Sequence, residues 1–260
     1  EMEWKKAGNS PPKWGARRVV LNDLSPAATF IGANYNLPFD VNAFAKAGKQ
    51  LLRDVDKELG WMYETLHSDG KTKGRIDYTV WSEVFTCPEC AGEINFLIEA
   101  MDDETKRVHD EFQCPNCDKV LTKNVLERLY VNRNDPLTGQ FLESPKREPA
   151  LISYHIGKSR FEKKPDAIDL ELLNKISSTP LPNKVPSVAF PFADMWETPR
   201  MRDKGISHTH HMFFPRALQA IGYIWKKANE HPDLRVRAML LFTVEQGIRG
   251  MSVLNRYKPI

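Results

Sequence analysis

Four cysteines carry the clearest chemistry in this chain. Cys87 and Cys90 sit in "CPEC", and Cys114 and Cys117 in "CPNC", giving the spacing C-x2-C-x23-C-x2-C. Each C-x2-C can close a tight turn that aims both sulfurs at one point while backbone N–H groups donate to them. Two such turns complete a tetrahedral four-sulfur site, the donor set that suits Zn²⁺. Four thiolates leave no open coordination position, so the expected ion is structural. The alternatives are four free thiols, a redox dithiol, or a mononuclear iron on the same ligands. The proline after Cys87, the first cysteine, and Gly92 just past the first pair suit the first of these turns.

Two weaker groupings follow. His208, His210 and His211 stand together in "SHTHH", but no carboxylate has a clear ligand spacing to them. The plainer reading, a polar loop before a helix, is preferred. "YHIGKSRFEKKP" (154–165) interleaves Lys158, Arg160, Lys163 and Lys164 with Tyr154 and Phe161. Such interleaving can track a phosphate backbone, and it also describes the solvated face of a strand.

These groups need elements to position them. "RRVVLND" (17–23) reads as a buried strand ending in acid, and Ser25-Pro26 as the start of a helix reaching about Asn36. A long helix is expected over 40–66 with Asp40 at its cap. Period-two alternation predicts a strand over 74–90, then a second strand over 93–100, a return through 111–121, and further strands at 126–135 and 150–165. A short helix capped by Asp166 covers 166–176, a proline-rich connection 178–205, and two helices 214–229 and 233–247. The expected segments are 1–73, a β-rich ribbon over 74–133, 134–205, and a helical 206–260.

The segment "RRVVLNDLSPAATFIGANYN" (17–36) resembles the second-strand region of S-adenosylmethionine-dependent DNA amino-methyltransferases. More narrowly, the chain resembles adenine-specific DNA methylases whose catalytic domain is interrupted by a zinc ribbon. The resemblance runs in order through most of the chain and is specific at 17–36 and at "RDKGISHTHHMFFPRALQAIGYIW" (202–225). It implies that Asp23 holds the ribose of S-adenosylmethionine, with Leu24 on the adenine side, and that the partner is DNA, methylated at a base amino group with adenine N6 favoured. The implied fold is α+β: a partial Rossmann-like segment carrying a β-rich zinc-ribbon insertion, with flanking helices. The family's D-P-F-x-G-x-G and [DNS]-P-P-[YFW] loops do not occur in this sequence; the nearest string is "NDP" at 134–136. The resemblance therefore implies an internal piece of such an enzyme, inactive alone. The competing expectation is a non-catalytic ribbon that binds nucleic acid or a protein partner.

Composition bounds these readings. The 260 residues are 41% hydrophobic and 27% charged, with a net charge of +3. That is enough chain for a core and too little charge to define a nucleic-acid binder. No run of about 18 apolar residues offers a membrane span, and no basic-then-apolar leader opens the chain, so a cytoplasmic setting is expected. "EMEWKKAG" reads as the tail of a helix and "LNRYKPI" stops without a closing element, which fits a piece of something longer.

Overall fold

The structure is a computed structural model that describes residues 15, 19–182, 185–190, 201, 203–255 and 257. The chain forms two units, residues 1–40 and 41–260. The expected helix tail at 1–8 and most of the proline-rich connection after 190 lie outside the described residues.

In the first unit, helix α1 (Pro26–Asn36) begins as the sequence implies, with Ser25 Oγ accepting from the Ala28 N–H and proline in the first turn. It stops at Leu37, held in the β region at ψ 134° because the next residue is Pro38. The expected buried strand over 17–23 is corrected. Residues 17 and 18 lie outside the described set, and 19–23 are neither strand nor buried. Val20 is 94% exposed and Leu24 fully so. An apolar run becomes a strand only where another strand takes its N–H and C=O groups, and no described residue does so here.

The second unit opens with α2 (Val41–Leu59), whose apolar stripe faces the last two helices. It ends earlier than the expected 66. Gly60 to Tyr63 form a 3-10 turn, and Glu64–Leu66 form β1. Glycine is a poor helix former, and here the Arg75 guanidinium bonds the Gly60 carbonyl at 3.2 Å and the Asp56 carboxylate at 2.7 Å.

Strand β2 (Lys73–Thr86) is the spine of this unit. One half lies between β1 and β9 (Arg147–Ile156), and β9 turns through Gly157 (φ +60°) into β10 (Ser159–Lys163). The other half pairs with β3 (Glu93–Asn95) and β6 (Glu127–Arg128). The hand-over falls between Glu83, opposite Arg147, and Val84, opposite Asn95. Beyond β3 come α3 (Phe96–Ala100) and the hairpin of β4 (Glu111–Gln113) and β5 (Val120–Thr122). A separate hairpin joins β7 (Tyr130–Asn134) to β8 (Phe141–Pro145). The strand expected over 93–100 is therefore half helix: the Asn95 side chain accepts from the Ile98 N–H and starts α3, as a short polar cap does.

Helix α4 (Ala167–Ser178) carries the expected Asp166 cap as a full capping box with Asp169. Helices α5 (Pro215–Asn229) and α6 (Leu234–Met251) close the described chain. Ala228, Val236 and Leu240 pack with Phe44, Ala47 and Leu51 of α2, while Leu59, Met62, Ile176 and Ala220 form a second cluster. All named strand pairs are antiparallel. The architecture is α+β, and no parallel Rossmann-like sheet lies among the described residues.

Candidate metal centre

The cysteine pairs converge as their spacing implies. Cys87 Sγ lies 3.9 Å from Cys117 Sγ, and Cys90 Sγ 3.8 Å from Cys114 Sγ. All four sulfurs fall within 4.8 Å of one another. A tetrahedron with metal–sulfur bonds of about 2.3 Å has edges of about 3.8 Å, so this cluster has room for one ion such as zinc.

Two matching turns build it. Cys87 N–H donates to Gly92 O at 2.9 Å and Ala91 N–H to Cys87 O at 3.0 Å; Cys114 N–H donates to Lys119 O at 2.9 Å and Asp118 N–H to Cys114 O at 3.0 Å. Ala91 (φ +56°) and Asp118 (φ +58°) hold the same left-handed position in each turn. Gly92, just past the first pair, accepts the Cys87 N–H as part of the first turn. It also makes room: a Cβ there would come within 2.4 Å of the Asn116 side-chain nitrogen on the opposite turn. Cys87 and Cys114 are buried and belong to a core of Phe85, Ile94, Phe96, Phe112 and Leu121, so metal site and ribbon core are one structure.

The electrostatics point the same way. The Cys90 N–H leads the contacts that favour the Cys87 thiolate, and its pKa falls to about 7. At Cys117 the Lys119 N–H also favours the thiolate, but burial and the neighbouring sulfurs outweigh it and push the pKa up to about 12. Four thiolates in one spot repel each other, and a divalent cation would displace the thiol protons and offset that repulsion with its own charge.

The histidines form a second cluster, which sequence reasoning missed. His210 and His211 are buried, at 3% and 7% exposed, rather than lying in an open polar loop. Their carboxylate is Asp135, 75 and 76 positions away in sequence. His210 Nε2 lies 3.0 Å from both Asp135 oxygens and His211 Nε2 2.9 Å from Oδ2. Asp135 also accepts from the Leu137 N–H at 2.9 Å, the Thr138 N–H at 3.3 Å and the Thr138 hydroxyl at 2.7 Å.

These three side chains have the composition of a metal site, but the protons argue otherwise. His211 Nδ1 accepts the N–H groups of Ser207 at 3.2 Å and His208 at 3.3 Å. A neutral imidazole that accepts at Nδ1 carries its proton on Nε2, and that N–H points at Asp135. Coordination through Nε2 would require an imidazolate. The cluster is a hydrogen-bonded knot tying the β7–β8 loop to the turn before α5. The only early signal was "NDPLTG" (134–139), a turn sequence in which aspartate commonly accepts from the next two N–H groups.

The remaining site residues do not assemble. Asp23 is exposed, and its Oδ1 accepts the Ser25 N–H at 2.8 Å, the bond of an aspartate leading into a helix. Leu24 is exposed beside it. Lys158 is exposed at the β9–β10 turn. Arg160 pairs with Asp77 at 3.3 Å. Lys163 points inward, 14% exposed, to Asp166 at 2.7 Å, Asp169 at 2.8 Å and the Leu66 carbonyl at 2.9 Å. Alternation along β10 puts Arg160 and Lys163 on opposite faces, so they do not share one cationic surface, and the charge of Lys163 is already used.

Fold and site together give a ribbon continuous with an antiparallel sheet, whose four clustered cysteines could hold a metal ion such as zinc. No protein-family model, curated protein or solved structure matches the chain. No helix among the described residues is long and apolar enough to cross a membrane.

Proposed function

We propose that this chain is the zinc-braced middle section of an S-adenosylmethionine-dependent DNA methyltransferase, with no methyl transfer of its own. The observation that carries the zinc assignment is the convergence of four sulfurs at tetrahedral spacing on two matching turns. A closed set of four sulfurs leaves no position for substrate, so the ion serves the fold. The methyltransferase assignment rests on the resemblance at 17–36 and 202–225. Methyl transfer needs nucleophile, methyl donor and orienting loops in one site, and the sequence lacks both loops. Elemental analysis of the purified chain should give one zinc per chain. Calorimetry should give S-adenosylmethionine binding no tighter than about millimolar, roughly 4 kcal/mol. Micromolar binding by the chain alone would overturn the proposal.

A second reading is favoured by Asp23, whose carboxylate is engaged by the Ser25 N–H on an exposed, strandless segment. In that reading the chain is a binding module for nucleic acid or a protein partner. Asp23→Ala in the intact protein separates the two. A loss of about 1.5–3 kcal/mol in cofactor binding, the scale of a hydrogen bond to a charged group, supports the methyltransferase. Unchanged affinity supports the module.

A further inference from the structure

A cleft of about 840 Å³ opens between the sheet and the start of α5, lined by Thr79, Trp81, Lys204, Phe214, Arg216 and Ala217 among others. Its volume lies within the range of small-molecule sites.

Its charges are unevenly matched. The three acids at its edge are all engaged: Asp77 by His155 and Arg160, Glu83 by Arg128 and Arg147, and Glu162 by Lys106. Arg216 and Lys204 have no carboxylate within 4.0 Å among the described residues. Arg216 makes one hydrogen bond there, from Nη1 to Thr79 Oγ1 at 3.1 Å, and its Nε is fully buried with no partner. Its guanidinium also lies 5.5 Å from the centre of the Tyr63 ring. A shielded cation with no carboxylate in contact is costly, and an anion beside it lowers the cost.

The backbone adds to this. Phe214 offers no capping oxygen to α5, and Pro215 occupies the first turn. The N–H groups of Arg216 and Ala217 thus meet no cap at the positive end of a 15-residue helix, an arrangement that favours phosphate. Beside the cations stands an apolar wall. Trp81 and Phe214 stack with ring centres 4.1 Å apart, and Ile76 and Val80 are also among the lining residues.

We propose that this cleft binds a phosphate monoester with a flat ring body, the size of a mononucleotide. The phosphate sits on Arg216, Lys204 and the first turn of α5, and the ring lies along the Trp81–Phe214 wall. Two positive side chains and a helix start suit a dianion better than a carboxylate.

The test uses the whole metal-loaded chain with AMP, adenosine, inorganic phosphate and 2-naphthoate as probes, read by calorimetry and thermal shift. AMP should bind and raise the melting temperature, with the other three at least about tenfold weaker because each lacks one of the two features. Arg216→Met should abolish the AMP shift. Thr79→Val, which removes the hydrogen bond that holds the Arg216 guanidinium in place, should weaken AMP several-fold and decides the matter if Arg216→Met does not fold. No AMP shift in the wild type, or AMP affinity unchanged by these substitutions, overturns the site. Adenosine or 2-naphthoate binding as tightly as AMP overturns the phosphate head, and inorganic phosphate matching AMP overturns the ring body.

Discussion

The cysteine cluster and the Asp135–His210–His211 cluster are both built from would-be metal ligands brought together across the sequence, yet they differ in charge balance. Around the sulfurs the donors are backbone amides: Cys90 and Glu89 N–H at Cys87, Gly92 N–H at Cys90 and Lys119 N–H at Cys117. The Asn116 N–H reaches Cys114 Sγ at 3.5 Å, and no cationic side chain among the described residues pairs with the sulfurs. Around Asp135 the charge is already met. Three local donors and two imidazole N–H groups satisfy one carboxylate, and His211 is fixed in the tautomer that donates to it. Ligand composition and proximity are alike in the two. What separates them is whether protons already do the work of a metal.

That contrast can be broken most forcefully at the sulfurs. Free energy of metal binding becomes folding free energy where the site does not exist in the unfolded chain, on the order of 10 kcal/mol for structural zinc. Chelation, or Cys114→Ser, should expose the amides of roughly 80–125 to hydrogen exchange while α2 stays protected. Wild-type protection over that stretch would place the ribbon's stability in its apolar core.

Next in size is Asp135→Ala. It strands two buried imidazole N–H groups and frees the β7–β8 loop, and should cost about 3 kcal/mol in denaturant unfolding. The metal content should stay at one per chain in wild type and mutant. A second equivalent that disappears in the mutant would show that protons had been mistaken for the absence of an ion.

A pH effect sharpens the same point. Burial is the leading cause that lowers the pKa of both His210 and His211, against the pull of Asp135. The unfolded chain therefore takes up protons first as pH falls through about 6.5, and folding stability is lost from there downward. The thiolates also take up protons on acidification, so the useful quantity is a difference. His211→Gln keeps a donor to Asp135 but does not titrate, and its melting curves should fall less steeply between pH 7 and 5. Parallel curves would remove His211 from the pH response.

The smallest effect is Gly92→Ala, which drives a methyl into the Asn116 side chain. Overpacking of this kind costs about 1–3 kcal/mol, with the low end expected because Asn116 is at the surface. Asn116→Ala in the same chain should recover most of the loss.

The parts legible in the sequence were those fixed by local chemistry. The paired cysteines specified their own turns, and Asp166, Ser25-Pro26 and the apolar stripes of α2, α5 and α6 announced helices where they occur. The misreadings were non-local. Val19 and Val20 have the composition of a strand but find no partner among the described residues. Asn95 turns an apolar run into a helix with a single side-chain bond. Lys163 looked cationic and free until Asp166 and Asp169 folded over it. Asp135 and His210 come together only through tertiary structure, so no spacing rule could pair them.

Strand β2 has a consequence for any attempt to transplant the ribbon. Its residues up to Glu83 belong to the pairing with β9, and those from Val84 onward to β3 and β6. At the seam the strands exchange partners: Val84 N–H donates to Lys146 O, Leu129 N–H to Val84 O, and Lys146 N–H to Leu129 O. A cut at this seam severs no side-chain core, but it orphans two backbone bonds at once, both to Lys146. A graft that carries Val84 to Leu129 therefore needs a host strand able to supply both a carbonyl and an N–H in the places of Lys146, and a deletion that closes the gap must rejoin Glu83 to residue 130 without moving Arg147 from its register. The ribbon is portable only together with its socket.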